Sequence, residues 1–233
     1  DSLPRQSDIF DGEPNRTMMM QMLMTRMTSP SARAKTKIGT CVLQGLRRGA
    51  ASSSCARGFA SQPRVHEVTP RDGLQNEKNI IDLDDKLELC RLLAKSGVSS
   101  VEVTSFVRPD RVPALKDAKE LCQALPQQPW FSKAREDGIN FAALVPNMRG
   151  FENLLKVHEF GCPDTVVVIT SCTESHSKAN VGRSIQDALK QTLEVIQCAK
   201  KEGVAVRAYC SMAFGCPFEG DVDPLVVADI VGA

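Results

Sequence analysis

The chain is poor in aromatic residues: 11 of 233 positions are Phe, Trp or Tyr, with one Trp and one Tyr among them. That scarcity argues against a module built on aromatic stacking of bases, such as an RNA-recognition sheet. Long apolar runs are missing too. The longest, Phe141 to Val145, is five residues, against the ~20 that a membrane-spanning helix requires, so no membrane partner is expected. None of the nine cysteines forms a C-x-x-C pair and the three histidines (His66, His158, His176) are unpaired in sequence, so zinc-site spacing is absent. The seven cysteines beyond residue 64 lie scattered in apolar context, which reads as free thiols in a reducing compartment. No G-x-G-x-x-G follows the first strand-like run and no G-x-x-x-x-G-K-[ST] occurs, so nucleotide-binding folds lose support.

One absence is local. Between Met18 and His66 there is no Asp or Glu, yet there are eight basic residues. Residues 1–64 carry ten Lys/Arg and four Asp/Glu, whereas residues 65–233 carry 19 and 24. The formal charge of +1 therefore averages a basic leader and a mildly acidic body. An acidic body has the wrong sign for a nucleic-acid partner. A basic, acid-free, Ser-rich leader has the composition of a mitochondrial transit peptide, and it lacks the apolar h-region of a secretory signal. Residues 1–64 are thus read as upstream sequence plus transit peptide, with processing near Arg57-Gly58-Phe59-Ala60-Ser61 and the mitochondrial matrix as destination. Residues 65–233 are read as the folded body.

That body alternates strand and helix patterns. Arg64–Pro70 is strand-like. Ile81–Lys95 has apolar residues at 83, 87, 90, 93 and 94, a helical stripe stopped by Gly97. Val98–Phe106 and Ile139–Pro146 read as strands, with a helix opened by Pro113 between them. Phe151–Phe160 is a helix closed by Gly161. Thr165–Cys172, with Val166, Val167, Val168 and Ile169, is apolar on both faces, the mark of a parallel sheet covered by helices. Ser184-Ile185-Gln186-Asp187 resembles a capping box for a helix reaching Lys201. Val204–Cys210 is a fifth strand, and Asp223-Pro224 caps a last helix. Five βα units in series fit either a doubly wound sheet or part of a (β/α)8 barrel. A whole barrel takes roughly 250 residues.

Unusual polar residues gather where these strands end, the edge at which parallel α/β folds bind ligands. They are Arg71, Asp72 and Gln75 after the first strand, Glu102 and Ser105 on the second, Asn147 after the third, and Arg207 and Tyr209 on the fifth. Glu102, flanked by Val101 and Val103, must be paired if it is to ionise in a buried strand, and Arg71 is the available cation. The competing reading is an ion-pair network that only ties two strand ends together. Asp72 is the hard oxygen donor that Mg²⁺ accepts, although one carboxylate does not make a site. His158 reads as a packing residue, His176 lies in a loop at the polar edge, and Cys216 reads as a turn residue before a nucleophile.

The run Val68-Thr69-Pro70-Arg71-Asp72-Gly73-Leu74-Gln75-Asn76-Glu77-Lys78 resembles the opening motif of 3-hydroxy-3-methylglutaryl-CoA lyases. Glu102-Val103-Thr104-Ser105-Phe106-Val107, Val145-Pro146-Asn147 and Gly215-Cys216-Pro217-Phe218-Glu219-Gly220 are similar to further stretches of that family, in order. The resemblance implies a (β/α)8 TIM barrel of which this sequence holds about the first five units. It also implies an acyl-CoA substrate, a divalent metal (Mg²⁺ or Mn²⁺), a homodimer in full-length members, and carbon–carbon cleavage to acetyl-CoA and acetoacetate. Carried over by motif, Asp72 is a metal ligand, Arg71 stabilises the enolate, and Glu102 is a supporting active-site carboxylate. Gln75, Ser105, Asn147, Arg207 and Tyr209 line the substrate. The family's His-x-His metal pair, Asn ligand and Cys-bearing Gly-rich loop have no match here, so this chain alone is expected to bind metal weakly and not to turn over. The alternatives are a non-catalytic half-barrel that binds another chain and a related Claisen-type acyl-CoA condensing enzyme.

Overall fold

In the computed structural model the described residues are 64–233, so the leader and its processing site lie outside them. Five strands, β1 (His66–Glu67), β2 (Ser100–Ser105), β3 (Asn140–Leu144), β4 (Thr165–Ser171) and β5 (Ala205–Ser211), make one sheet in sequential order, every pairing parallel. Between them run α1 (Leu83–Lys95), α2 (Ala118–Ala124), α3 (Phe131–Glu136), α4 (Met148–His158), α5 (Glu174–Val181) and α6 (Ile185–Lys201), and α7 (Pro224–Gly232) follows β5.

Strand order decides between the two architectures. A doubly wound sheet reverses its order at a switch point. Here each strand lies beside its predecessor, and right-handed crossovers then put every connecting helix on one face. The other face is the inside of a curl. Arg207 Nη1 on β5 donates to Ser100 Oγ on β2 at 3.2 Å. In a flat sheet three strand spacings would separate them by about 14 Å, so the contact requires a curled sheet, the opening part of a (β/α)8 barrel.

The helix-covered face holds the core. Val101, Val103, Phe141, Ala143, Val166 and Val168 are buried against Leu87 and Cys90 of α1, Leu121 of α2, Leu154 of α4 and Val195 of α6. Each buried Val, Leu or Phe among them contributes about 1.5–3 kcal/mol by leaving water. Helix ends follow local chemistry: Asn147 Oδ1 accepts from Gly150 N at 3.0 Å to cap α4, and Ser184 Oγ accepts from Asp187 N at 3.1 Å to cap α6.

Three details depart from the sequence reading. The first strand is two residues long rather than seven, because the chain coils at Thr69. The helix expected from Pro113 is interrupted: a 3₁₀ turn spans Pro113–Leu115 before α2, and a second, Leu125–Gln127, ends it at Pro126. The buried Lys86 explains the first break, since its Nζ donates to the Ala114 carbonyl at 2.7 Å and to both oxygens of Asp117 at 2.6 and 2.8 Å. The short helices α3 and α5 were not expected; with 6 and 8 residues they carry too few turns for a clear apolar stripe.

Register reveals a bulge in β2. Glu102 pairs with Ala142, but Thr104 pairs with Ala143 and Ser105 with Leu144. One extra residue therefore opposes β3, and the alternation of β2 is rephased. Ala142 and Leu144 share the inner face, so Glu102 and Ser105, three residues apart, do as well.

Candidate active site

A wide turn builds the mouth of the curl. Thr69–Gly73 forms a single π-helical turn entered through Pro70. The Val68 carbonyl accepts from both Arg71 N at 3.1 Å and Asp72 N at 2.7 Å. Single π turns are frequent at functional sites. This one carries Arg71 and Asp72 off the carboxyl end of β1 toward β2.

Arg71 is buried between two carboxylates. Its Nε donates to Glu102 Oε1 at 2.6 Å and its Nη1 to Asp72 Oδ1 at 2.6 Å. The planar guanidinium has five donors in a fixed fork, so two contacts fix its plane and leave Nη2 to reach elsewhere. The two carboxylates differ in setting: the Asp72 side chain is 56% exposed and that of Glu102 is 1% exposed. Burial pushes the Glu102 carboxyl above the ordinary glutamate range, outweighing the pull of the Arg71 guanidinium and of the more distant Arg207. Glu102 Oε2 and Ser105 Oγ are both buried without a hydrogen-bond partner among the described residues. Because the bulge puts both on the inner face, two orphaned polar atoms share one wall of the mouth. Such atoms cost ~1–3 kcal/mol each when left unpaired, and an arriving polar ligand relieves that cost.

The remaining expected residues divide. Gln75 lies half-buried just past the π turn, and Tyr209 is half-buried on the inner face, in register with Ile169. Asn147 stands at the mouth, but its Oδ1 is committed to the α4 cap, leaving only the amide nitrogen to face a ligand. Arg207 shares the inner face, yet its guanidinium turns down to Ser100, at the amino end of β2. The structure does not bring it to the mouth as a wall of the substrate site, because the curl carries β5 toward the start of β2.

The remaining residues noted in the sequence make contacts of their own, and His176 sits on α5 rather than in a loop. Ser171 Oγ, at the inner end of β4, hydrogen-bonds His176 Nδ1 at 2.8 Å, and burial lowers the His176 pKa, favouring the neutral ring. The Ser–His spacing of five across a strand-to-helix turn is the signal that would have found it. Cys216 closes a tight turn, bridging Gly220 through backbone bonds of 2.7 and 2.9 Å. Its Sγ accepts from Thr173 Oγ1 at 3.1 Å, and Glu219 Oε1 accepts from Ser175 N at 2.7 Å. The loop after β5 is thus pinned to the start of α5, which agrees with a turn role for Cys216. His158 Nδ1 lies 3.0 Å from the Pro163 carbonyl, a packing contact.

Of the two carboxylates that clamp Arg71, Asp72 is the one exposed enough to ligate a cation. Among the described residues no three His, Cys, Asp or Glu side chains converge to hold a metal. These residues by themselves therefore do not fit a divalent-metal centre.

Known proteins are similar to this chain in sequence and in fold. The HMGL-like family profile matches residues 62–233. The 3-hydroxy-3-isohexenylglutaryl-CoA/hydroxy-methylglutaryl-CoA lyase of Pseudomonas aeruginosa is 41% identical over 165 residues, 71% of this chain and 51% of that protein. The mitochondrial hydroxymethylglutaryl-CoA lyase of Homo sapiens is 35% identical over 181 residues, covering 78% of this chain and 52% of its own length. Among solved structures, the HMG-CoA lyase of Bacillus subtilis superposes with a TM-score of 0.64 at 37% identity, covering 72% of this chain and 53% of that one. The chain spans about half the length of the curated relatives it matches. With most of its residues inside one family profile and its fold matched over 72% of its length, the chain belongs to the HMGL-like family.

Proposed function

We propose that this chain carries the arginine–carboxylate part of a carbon–carbon lyase centre acting on a 3-hydroxy-3-methylglutaryl-CoA-type thioester. The observation that carries the reading is the buried Arg71 clamped by Glu102 and Asp72 at the carboxyl ends of the strands. In the reaction the C3 hydroxyl loses its proton and the C2–C3 bond breaks. Its electron pair passes into the thioester as an enolate, leaving the ketone of acetoacetate. A proton added at the enolate carbon then gives acetyl-CoA. Negative charge thus moves onto the thioester oxygen in the transition state. A preoriented guanidinium there binds the transition state better than the ground state. Glu102 fixes the plane of Arg71, and its orphaned Oε2 together with Ser105 Oγ offers contacts for the substrate's polar groups.

Asp72 is offered as a single ligand of an Mg²⁺ or Mn²⁺ ion, which would need further donors from outside the described residues. The test is a cleavage assay with hydroxymethylglutaryl-CoA and either cation, paired with calorimetric binding of the acyl-CoA. Binding that Arg71→Met weakens supports the assignment, and no binding overturns it. Turnover by this chain alone would overturn the single-ligand reading of the metal.

A second reading is favoured by one observation. α7 buries none of its side chains, and Leu225 and Val231 are 69% and 72% exposed. A half-barrel that docks on another chain would cover them. Oligomeric state by light scattering separates this from a monomer. For location, we propose the mitochondrial matrix, supported by the acid-free basic leader; matches to bacterial as well as mitochondrial lyases leave that composition as its support. A reporter fused behind residues 1–64 is expected to enter mitochondria.

A further inference from the structure

At the end of the curl opposite the mouth lies a cavity of about 520 Å³, and its wall includes Arg64, His66, Asn140, Thr165 and Arg207. We propose that this amino-end cavity is a second binding site, for a small oxyanion of the phosphate class.

The argument begins with Arg207. It is half-buried on the inner face and its observed side-chain contact is a neutral one, Nη1 to Ser100 Oγ at 3.2 Å. No carboxylate forms a salt bridge with it among the described residues. A partly desolvated guanidinium without an anion is unfavourable, and it keeps free donors in a fork suited to oxyanions. Arg64 adds a second full positive charge to the same concave space. His66 feels both: burial first, then Arg207 and Arg64, lower its pKa. The Asp137 carboxylate also lines the cavity, but it is engaged by Lys133 Nζ at 2.7 Å. A half-enclosed wall with two cations and hydroxyl and amide groups focuses positive potential onto its centre. Phosphate supplies the missing charge and enough acceptors for both guanidinium groups.

The chain offers its own reporter, since it has three histidines and one of them, His66, lines this cavity. Inorganic phosphate is titrated into the full chain at constant ionic strength while the histidine ring signals are followed by NMR. The expected result is a saturable shift of His66 with His158 and His176 unmoved, and with chloride giving no shift. Arg207→Gln is expected to weaken the phosphate response about tenfold or more, the factor for a lost charge-assisted hydrogen bond. Arg64→Gln, at an exposed position, gives the same reading if the Arg207 variant does not fold. Coenzyme A at matched phosphate is expected to leave His66 in place. A His66 shift by coenzyme A equal to that by phosphate assigns the cavity to the acyl-CoA and overturns the second-site proposal. A flat His66 titration, a response in both variants as strong as in the unchanged protein, or a shift at His176 in place of His66 also overturns it.

Discussion

Arg71 Nε and Glu102 Oε1 are 2.6 Å apart in space and 31 residues apart in sequence, joining the turn after β1 to the middle of β2. The pair is asymmetric: Arg71 has a second carboxylate in Asp72, whereas the other oxygen of Glu102 has no partner among the described residues. Because burial raises the Glu102 pKa, the folded protein holds a proton there that the unfolded chain releases. Stability from this group is therefore full below the ordinary glutamate pKa and declines as pH rises through the raised one. Glu102→Gln keeps an acceptor for Arg71 and removes that dependence. Melting temperatures measured across pH 4–8 are expected to favour the variant progressively toward neutral pH, while acyl-CoA binding weakens. A difference independent of pH would show that Glu102 binds its proton equally in the folded and unfolded chain.

Lys86 and Asp117 form a second ion pair, fully buried on the lysine side and half-buried on the aspartate side. Lys86 is 1% exposed and all three of its bonds are to Ala114 O and the Asp117 carboxylate. Removing one partner strands a charge, so Asp117→Ala is expected to cost about 3–5 kcal/mol in urea unfolding. The double variant Lys86→Met/Asp117→Leu is expected to recover most of that loss.

Gly150 is a packing constraint. A Cβ there would stand 2.8 Å from the Phe106 carbonyl and 3.1 Å from Pro146 Cδ. Neither backbone oxygen nor proline ring can swing aside, so Gly150→Ala is expected to cost about 1–3 kcal/mol. The shift falls on the residue after Ser105, so acyl-CoA affinity is expected to drop with it.

Cys90, Cys122 and Cys162 meet in the core, each fully buried. Burial pushes the Cys90 thiol up to about 12, and the neighbouring Cys122 thiol together with burial pushes Cys162 well above its usual range. Thiolate is the reactive form. In a thiol-reagent time course at pH 8, read by peptide mass spectrometry, these three are expected to stay unmodified until the protein unfolds. The half-buried Cys198 and Cys210 are expected to react first of the cysteines in the described region.

Much of this was legible in the sequence, for physical reasons. The βα alternation survives in the chain as apolar period, and each helix that leads directly into a strand is followed by a Gly in the left-handed region, such as Gly97 at φ 87°. The Arg71–Glu102 pair was legible because a carboxylate between two valines has to find a cation. The bulge was not. Alternation from Val101 and Val103 places Thr104 beside Glu102 on the inner face, and only the register with β3 shows that Ser105 takes that place. The direction of Arg207 was hidden for a related reason. It depends on sheet curvature, a property of all five strands together, and sequence reports each strand alone.

The sequential strand order has a consequence for how the protein is made. Each described strand after β1 emerges from the ribosome with its sheet predecessor already made, so the pairings among these five strands all join sequence neighbours. At roughly 5–20 residues per second, each βα unit has seconds to dock before the next arrives, long against the ~1 μs of helix formation. The Arg71–Glu102 clamp can close as soon as β2 is out. The mouth is then laid down early, and every later strand is added to a sheet whose first candidate-site contact is already set.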